Sequence, residues 1–317
     1  MRKLTVGARR SPLSRAQAQW VGDRLGERWP HLSVEYRFVT TAGDRDPDTP
    51  LPGIGGKGLF TEDLERALRD GRIDVAVHSL KDLPVEPSAG LSIAAVPRRE
   101  DSRDVLVVRP SLVPDVGRAD AGKALARLPA GARIGTSSLR RAAQVRARRR
   151  DLRAVPIRGN IDTRLRKLEE GGFEALVLAA AGLKRLDLRL PGARILDWLP
   201  APGQGALGLQ CRAAEGGASA CVQALDDPGA RAEVTAERAL LAALEGGCRV
   251  PIAARAVLRG QDLRLRAAVY DVAGGPPVED AEEGRAESAA EVGRQLADRM
   301  LEAGAADLVE RARRLSP

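Results

Sequence analysis

Two rhythms of apolar and polar positions alternate along the chain. Residues 3 to 8 (KLTVGA) have the short apolar run of a strand, after which Ser11 and Pro12 supply an N-cap and an N1 proline. Leu13, Ala16, Trp20, Val21 and Leu25 then recur at helical spacing as far as Pro30. Leu32, Val34, Tyr36 and Phe38 fall on one face of a second strand, followed by a turn-rich stretch, TTAGDRDPDTPLPG, that predicts a long surface loop. Phe60, Leu64 and Leu68 mark a helix ending at Gly71, and Ile73, Val75 and Val77 alternate as a strand running into HSLKDLP.

The same unit recurs in the middle third. RIGT reads as a strand, SSLRRAAQVRARRR as a capped helix, LRAVPI as a strand, NIDTRLRKLEE as a helix stopped by Gly171 and Gly172, and EALVLAA as a strand. Strands alternating with helices predict parallel sheets covered on both faces. From about residue 218 the pattern changes to two helices, a GGC loop, strand-like segments at 252 to 258 and 262 to 270, and helices from about 288, which reads as a separate α+β domain. No period of a repeat array is present.

At 317 residues the chain is long enough for two or three domains. With 44% hydrophobic and 30% charged residues it has the composition of a globular protein. Its longest apolar run, Ala175 to Leu183, is far short of the roughly 20 residues that span a bilayer. The charged start MRKLTVGARR has no apolar stretch behind it, so a cytoplasmic protein is expected. The net charge is +8, and only six of the 51 basic residues are lysine, leaving 45 arginines, the side chain that grips carboxylates and phosphates with two parallel N–H donors. A general bias toward Ala, Arg and Gly accounts for the total equally well, so position matters more than number. Three cysteines and two histidines, without CxxC or HxxxH spacing, exclude a disulfide framework and give no reason to expect a metal.

Several motifs sit where strands end. GIGGKG (53 to 58) follows turn-formers rather than a strand and lacks Ser or Thr after Lys57, so it is neither a dinucleotide nor a Walker loop; a lid, an anion contact or a plain surface loop all fit. HSLKDLP would aim Ser79, Lys81 and Asp82 into a cleft at the carboxyl end of a strand, although adjacent Lys and Asp are also ordinary turn residues. In GTSSLRR, Ser137 or Ser138 caps a helix whose first turn carries Arg140 and Arg141, so free N–H groups, the helix dipole and two guanidiniums converge on one anion site. Arg146, Arg148, Arg149 and Arg150 lie beyond that turn and read as a solvated face. RGNIDTR (158 to 164) and GLKR (182 to 185) repeat the strand-end arginine, so the domain points to a polyanionic ligand. Cys211 and Cys221 read as buried apolar residues, whereas Cys248, in the loop EGGCRVP, is placed for covalent attachment.

In their order along residues 3 to 258, GARRSPLSRAQ, GDRDPDTPL, GGKGLFTEDLERAL, DVAVHSLKDLP, REDSRDVL, GTSSLRRAAQ, RGNIDTRL, LAAAGLKRL, APGQGALGLQCR and AERALLAALEGGCRVP closely resemble the porphobilinogen deaminase family. The resemblance implies a transferase of tetrapyrrole biosynthesis that condenses four porphobilinogens head to tail, with loss of ammonia at each, into hydroxymethylbilane. It implies a dipyrromethane cofactor held as a thioether on Cys248. Lys81, Asp82, Ser138, Arg140, Arg141, Arg164 and Arg185 would bind that cofactor, and Arg9, Ser11 and Arg158 the substrate. Asp82 matches the catalytic aspartate, Asp44 and Lys57 belong to a loop expected to close over the site, and Arg238 is a further carry-over. Gly53 stands where members often have lysine.

The resemblance also implies the architecture: two doubly wound α/β domains like the halves of periplasmic binding proteins, with the site between them, and a small C-terminal α+β domain. The boundaries expected are 1–101 together with 199–216, then 102–198, then 217–317. A monomer acting on porphobilinogen is expected, with no nucleic-acid or membrane partner and no metal. A two-domain polycarboxylate-binding protein without catalysis would share the fold and the arginines, but has no use for Cys248. A nucleic-acid binder is disfavoured by the eight aromatic residues and by 43 acidic residues interspersed with the basic ones.

Overall fold

The computed structural model describes residues 2–40, 61–86, 88–112, 121–214, 216–244 and 250–315. Asp44, Gly53, Lys57 and Cys248 lie outside the described residues. Among the described residues there are two five-stranded sheets and one three-stranded sheet. The first sheet is built from β1 (Lys3–Arg9), β2 (Ser33–Val39), β3 (Val75–Ser79), β4 (Leu91–Ala95) and β10 (Leu207–Arg212), in the order β2-β1-β3-β10-β4. The second contains β5 (Asp104–Val108), β6 (Arg133–Gly135), β7 (Arg153–Val155), β8 (Ala175–Ala179) and β9 (Ala193–Leu196), in the order β7-β6-β8-β5-β9.

The two orders are one pattern. In each sheet a strand arriving from the other unit is inserted beside the third strand, as in the halves of periplasmic binding proteins. Here the sequence expectation needs correcting: the sheets are not wholly parallel, because β10 runs antiparallel to β3 and β4, and β5 antiparallel to β8 and β9. A chain that crosses to the other sheet and back must enter each time against the grain of its new neighbours.

Helices cover both faces. In the first sheet α1 (Pro12–Arg28) buries Ala18, Val21 and Leu25 on one side, and α2 (Glu62–Arg69) buries Leu64, Ala67 and Leu68 on the other. Ser11 caps α1 as expected, accepting the Ser14 N–H at 3.3 Å. Ala218, Cys221 and Val222 of α7 (Gly216–Gln223) join the core of this sheet, so α7 packs with the first unit although it lies beyond residue 216. In the second sheet α3 (Ala121–Arg127) and α4 (Leu139–Arg148) cover one face, and α5 (Ile161–Glu169) and α6 (Ala180–Arg185) the other.

The third unit is an antiparallel sheet of β11 (Ile252–Arg259), β12 (Asp262–Val269) and β13 (Val278–Arg285) against α8 (Pro228–Ala243), α9 (Ala289–Met300) and α10 (Ala306–Leu315). Strand β13, VEDAEEGR, has no apolar alternation to reveal it; its acids are instead held by arginines, Glu283 by Arg264, and Asp280 and Glu282 by Arg299. The other sheet face meets α4, where Ala253, Ala268 and Tyr270 enclose Ala143, and the Tyr270 hydroxyl donates to Gln144 Oε1 at 3.2 Å. Of the four arginines expected on a solvated face, Arg146 and Arg149 are drawn into contacts between elements, and Arg148 packs its guanidinium on a ring. Arg146 donates to the Val272 carbonyl at 2.8 Å, Arg148 lies 4.6 Å over the Trp198 ring, and Arg149 closes the carbonyls at the end of α3. Arg148 and Arg150 are nevertheless exposed, as expected of a solvated face.

The three units meet at the paired crossings 96–103 and 197–206. These lie side by side, with the Glu100 N–H donating to the Gly205 carbonyl at 3.1 Å and Arg99 Nε to the Gln204 carbonyl at 3.0 Å. Gly205 has φ +88°, and a Cβ there would collide with the Glu100 carbonyl oxygen, so glycine is required on both counts. The fully buried Glu237 of α8 ties the junction together. It accepts from Arg99 at 2.8 and 2.9 Å, from the Gly203 N–H at 2.6 Å and from the Ala256 N–H of β11 at 2.8 Å. Burial opposes the charge of Arg99, but Glu237 and Glu233 outweigh it and hold the guanidinium above its ordinary pKa.

Removing the Glu237 carboxylate would leave the buried Arg99 with only the longer contact to Glu233 and the Gln204 carbonyl, and would strand two buried N–H donors. Glu237→Ala should therefore lower the unfolding free energy by about 3–5 kcal/mol in urea titrations, with Glu237→Gln, which keeps an acceptor but no charge, losing less.

Candidate functional site

The site forms where the parallel strands of both large sheets end. On the first sheet, β1 delivers Arg9 and the helix cap Ser11, and β3 delivers Ser79 followed by a single 3-10 turn, Leu80–Asp82. This turn is clamped from several sides. Gln17 Nε2, buried on α1, donates to Ser79 Oγ at 2.9 Å, and the Leu80 N–H donates to the Ala206 carbonyl at 3.0 Å. Arg238 donates to the carbonyls of Leu83 at 3.0 Å and Pro84 at 2.7 Å, so among the described residues it holds backbone. Behind the turn, the buried His78 shares a 3.0 Å hydrogen bond with Gln210 Oε1, and Gln210 Nε2 donates to Glu65 at 3.1 Å. Burial pushes the His78 pKa down to about 4, so it is a neutral support near pH 7.

The clamped turn presents Lys81 half-buried and Asp82 exposed. Lys81 Nζ donates to Gln204 Oε1 at 3.2 Å. Burial lowers its pKa to about 8, with Asp82 and Asp104 acting in the opposite sense and Arg140 and Arg141 adding to the fall.

On the second sheet the expected capping is present in detail. Ser138 Oγ accepts the Arg141 N–H at 3.4 Å and starts α4, while Ser137 is taken up by both backbone groups of Ile157, joining the ends of β6 and β7. The two arginines of that first turn are differently placed from the simple expectation of an open anion site. They are buried around Asp104, the first residue of β5: Arg140 Nη1 lies 2.7 Å from Asp104 Oδ2, and Arg141 Nη2 2.7 Å from Oδ1. Burial would raise the Asp104 pKa, but these two guanidiniums hold it well below the usual carboxylate range. Gln204 completes the cluster, donating to Asp104 at 2.9 Å and to the Ser102 carbonyl at 2.7 Å while receiving Lys81 and Arg141 on its Oε1. One buried amide thus joins the first sheet's lysine to the second sheet's arginines.

The remaining candidates lie at the ends of β7 and β8. Arg158 is half-buried after β7. Arg164 donates from Nε to the Gly159 carbonyl at 2.8 Å; burial and the nearby Arg141 lower its pKa, and Asp82 opposes the fall. Arg185 donates to the Gly205 carbonyl at 2.8 Å, and burial lowers it to about 10. Gly182 of α6 lies beside Ile161 at the start of α5 and Leu13 at the start of α1, so the helix starts of the two units face each other.

Lys81, Arg164 and Arg185 share one property: among the described residues, their hydrogen-bond partners are neutral amide or carbonyl oxygens. Partly buried cations without a bonded carboxylate favour an anionic ligand, because desolvation has been incurred without a compensating charge. Sequence reasoning did not single out Asp104, Gln204 and Gln17. The signals for the first two were an aspartate opening the apolar strand DVLVV and a lone glutamine between glycines in PGQGA; Gln17 gives none, being one polar residue within an amphipathic helix.

Residues 4–219 match the family described as "Porphobilinogen deaminase, dipyromethane cofactor binding domain", and residues 231–302 match "Porphobilinogen deaminase, C-terminal domain". The chain is 47% identical over 307 residues to a porphobilinogen deaminase of Roseiflexus castenholzii, covering 95% of this chain and 96% of that protein. It is 43% identical over 312 residues to one of Pelobacter propionicus (98% and 97% covered) and 46% identical over 317 residues to one of Rubrobacter xylanophilus (99% of each). The chain belongs to the porphobilinogen deaminase family.

Proposed function

We propose that this chain condenses four porphobilinogens head to tail into hydroxymethylbilane, as a cytoplasmic monomeric transferase primed by a dipyrromethane on Cys248. The observation that carries the reading is the set of half-buried cations with neutral partners around the rigidly held Lys81–Asp82 turn. Each pyrrole of the substrate bears an acetate and a propionate, so the ligand is a polycarboxylate that grows with every cycle. A polycarboxylate-binding protein without catalysis would use the same cations, but has no need of an exposed carboxylate on a turn clamped from several sides.

The donor set fits a dipyrromethane. Lys81, Arg164 and Arg185 retain donors for its carboxylates, with Ser138 beside them, whereas Arg140 and Arg141 are already bonded to Asp104 and act there chiefly by charge and by fixing the start of α4. When bound, the group supplies a pyrrole carbon to which the first substrate is joined. Arg9, Ser11 and Arg158 would hold the side-chain carboxylates of the incoming porphobilinogen.

Asp82 would accept a hydrogen bond from the pyrrole N–H and stabilise the positive charge that develops as the C–N bond of the aminomethyl group breaks and ammonia leaves. A carbon–carbon bond then forms, and the ring proton displaced by it is lost, with the same carboxylate placed to relay it. Gln204 would keep Lys81 turned toward this carboxylate. The pairing of Lys81 with a neutral amide leaves its charge available to substrate.

Intact mass separates this reading from simple ligand binding: the wild-type protein should carry the mass of two linked pyrrole units and Cys248→Ala should not, while an unmodified wild type that gains no mass with porphobilinogen would refute it. Asp82→Asn should fold normally and lose roughly 10²–10⁴-fold in bilane formation. Lys81 must be protonated to bind carboxylate, so kcat/KM should be full below pH 8 and fall as pH rises through about 8; Lys81→Arg should move that limb to higher pH.

A further inference from the structure

A cavity of about 310 Å³ opens where the three units meet, lined by the first crossing, by Glu233 of α8 and by Arg255 of β11, and by none of the residues placed in the site above. Its carboxylates are all engaged. Glu100 takes Lys184 Nζ at 2.9 Å, Asp101 takes Arg103 at 2.9 and 2.6 Å, and Glu233 takes Arg99 at 3.3 Å and the Leu258 N–H at 3.1 Å. Arg99 and Arg103 are thereby engaged as well.

Arg255 is not. Its side chain makes no hydrogen bond or salt bridge with any described residue; its charge reaches Asp101, whose pKa burial would raise but Arg103 and then Arg255 hold down. The register of β11 and β12 places Arg266 directly opposite Arg255 on the same face of the sheet; it is exposed, outside the residues lining the cavity, and its side chain also lacks a hydrogen bond or salt bridge among the described residues. Like charges facing each other across an antiparallel pair destabilise it. Two other arginines of this sheet are given acids, Arg264 with Glu283 and Arg285 with Asp262. A third group points the same way. Ser102 is only 7% exposed and lines the cavity, and its hydroxyl makes no hydrogen bond among the described residues.

We propose that Arg255, Arg266 and Ser102 form a binding site for a phosphate group, either inorganic phosphate or the phosphate of a small metabolite. Two guanidiniums supply parallel N–H donors and the charge that their facing position lacks, and the serine hydroxyl supplies a further donor from the first crossing. The anion would bridge the third unit to the segment joining the first and second, and so favour one relative placement of the three.

The test is thermal unfolding of the holoenzyme in inorganic phosphate against sodium chloride of equal ionic strength. At phosphate tenfold above its Kd the midpoint should rise by roughly 2–4 °C. The rise should vanish in Arg255→Gln and in Arg266→Gln and persist in Arg158→Gln, which alters the substrate site instead. In phosphate-free buffer Arg255→Gln should melt at or above the wild-type temperature, because it relieves repulsion. An absent rise, a rise unchanged in both sheet variants, or one lost in Arg158→Gln would overturn the proposal. So would a lower phosphate-free midpoint for Arg255→Gln, which would make Arg255 a structural partner of Asp101. Glycerol phosphate in a parallel series separates the two sources: an equal rise assigns the site to the phosphate group itself, a larger one to an organic phosphate.

Discussion

Everything in this molecule hangs on the burial of a single carboxylate at the junction of three units. Glu237 accepts from the first crossing through Arg99, from the second through Gly203, and from the edge of the small sheet through Ala256. A buried ion pair adds little net stability over a well-packed apolar contact, but it tolerates only one geometry, since any displacement leaves a charge or an N–H unpaired. The same logic covers the exposed edge of β11. Its outward N–H groups at Ala254, Ala256 and Leu258 go to the Pro200 carbonyl, Glu237 and Glu233, so the edge offers no free ladder to another strand.

A second buried carboxylate, Asp104, performs a comparable task closer to the chemistry. By engaging Arg140 and Arg141 it divides the basic residues of the cleft into two kinds. One kind is fixed scaffold; the other, Lys81, Arg164 and Arg185, is left with neutral partners and an unsatisfied charge. The distinction depends on where one aspartate sits, and Gln204 connects the two kinds across the unit boundary.

Local signals in the sequence proved sufficient for local structure. The Ser11-Pro12 and Ser138 caps, the apolar strands and the glycine stops lie within a few residues of what they determine, and the strand-end placement of Lys81, Asp82, Arg158, Arg164 and Arg185 followed from them. What could not be read was set by distant partners. The reversal of β5 and β10 depends on which sheet each crossing enters, and β13 is placed by its ladder to β12, with arginines beside its acids, rather than by an apolar alternation of its own. Arg146, Arg148 and Arg149 resemble a solvated run until Val272, Trp198 and the end of α3 are brought to them. Asp104 lies more than thirty residues from the arginines it engages, a separation at which no periodicity speaks.

The insertion of β10 between β3 and β4 bears on how the chain is made. The second sheet uses a continuous stretch, Asp104 to Leu196, and can close as soon as that stretch leaves the ribosome. The first sheet cannot: its strands β1 to β4 emerge earliest, yet β3 and β4 flank a gap until residues up to Arg212 are available. Vectorial synthesis therefore completes the second unit ahead of the first, and the unit bearing Asp82 acquires the strand that joins β3 to β4 only after the arginine-bearing unit exists. A nascent chain halted before Leu207 holds one finished sheet and one that is open between β3 and β4, the edge most exposed to misassembly during biosynthesis.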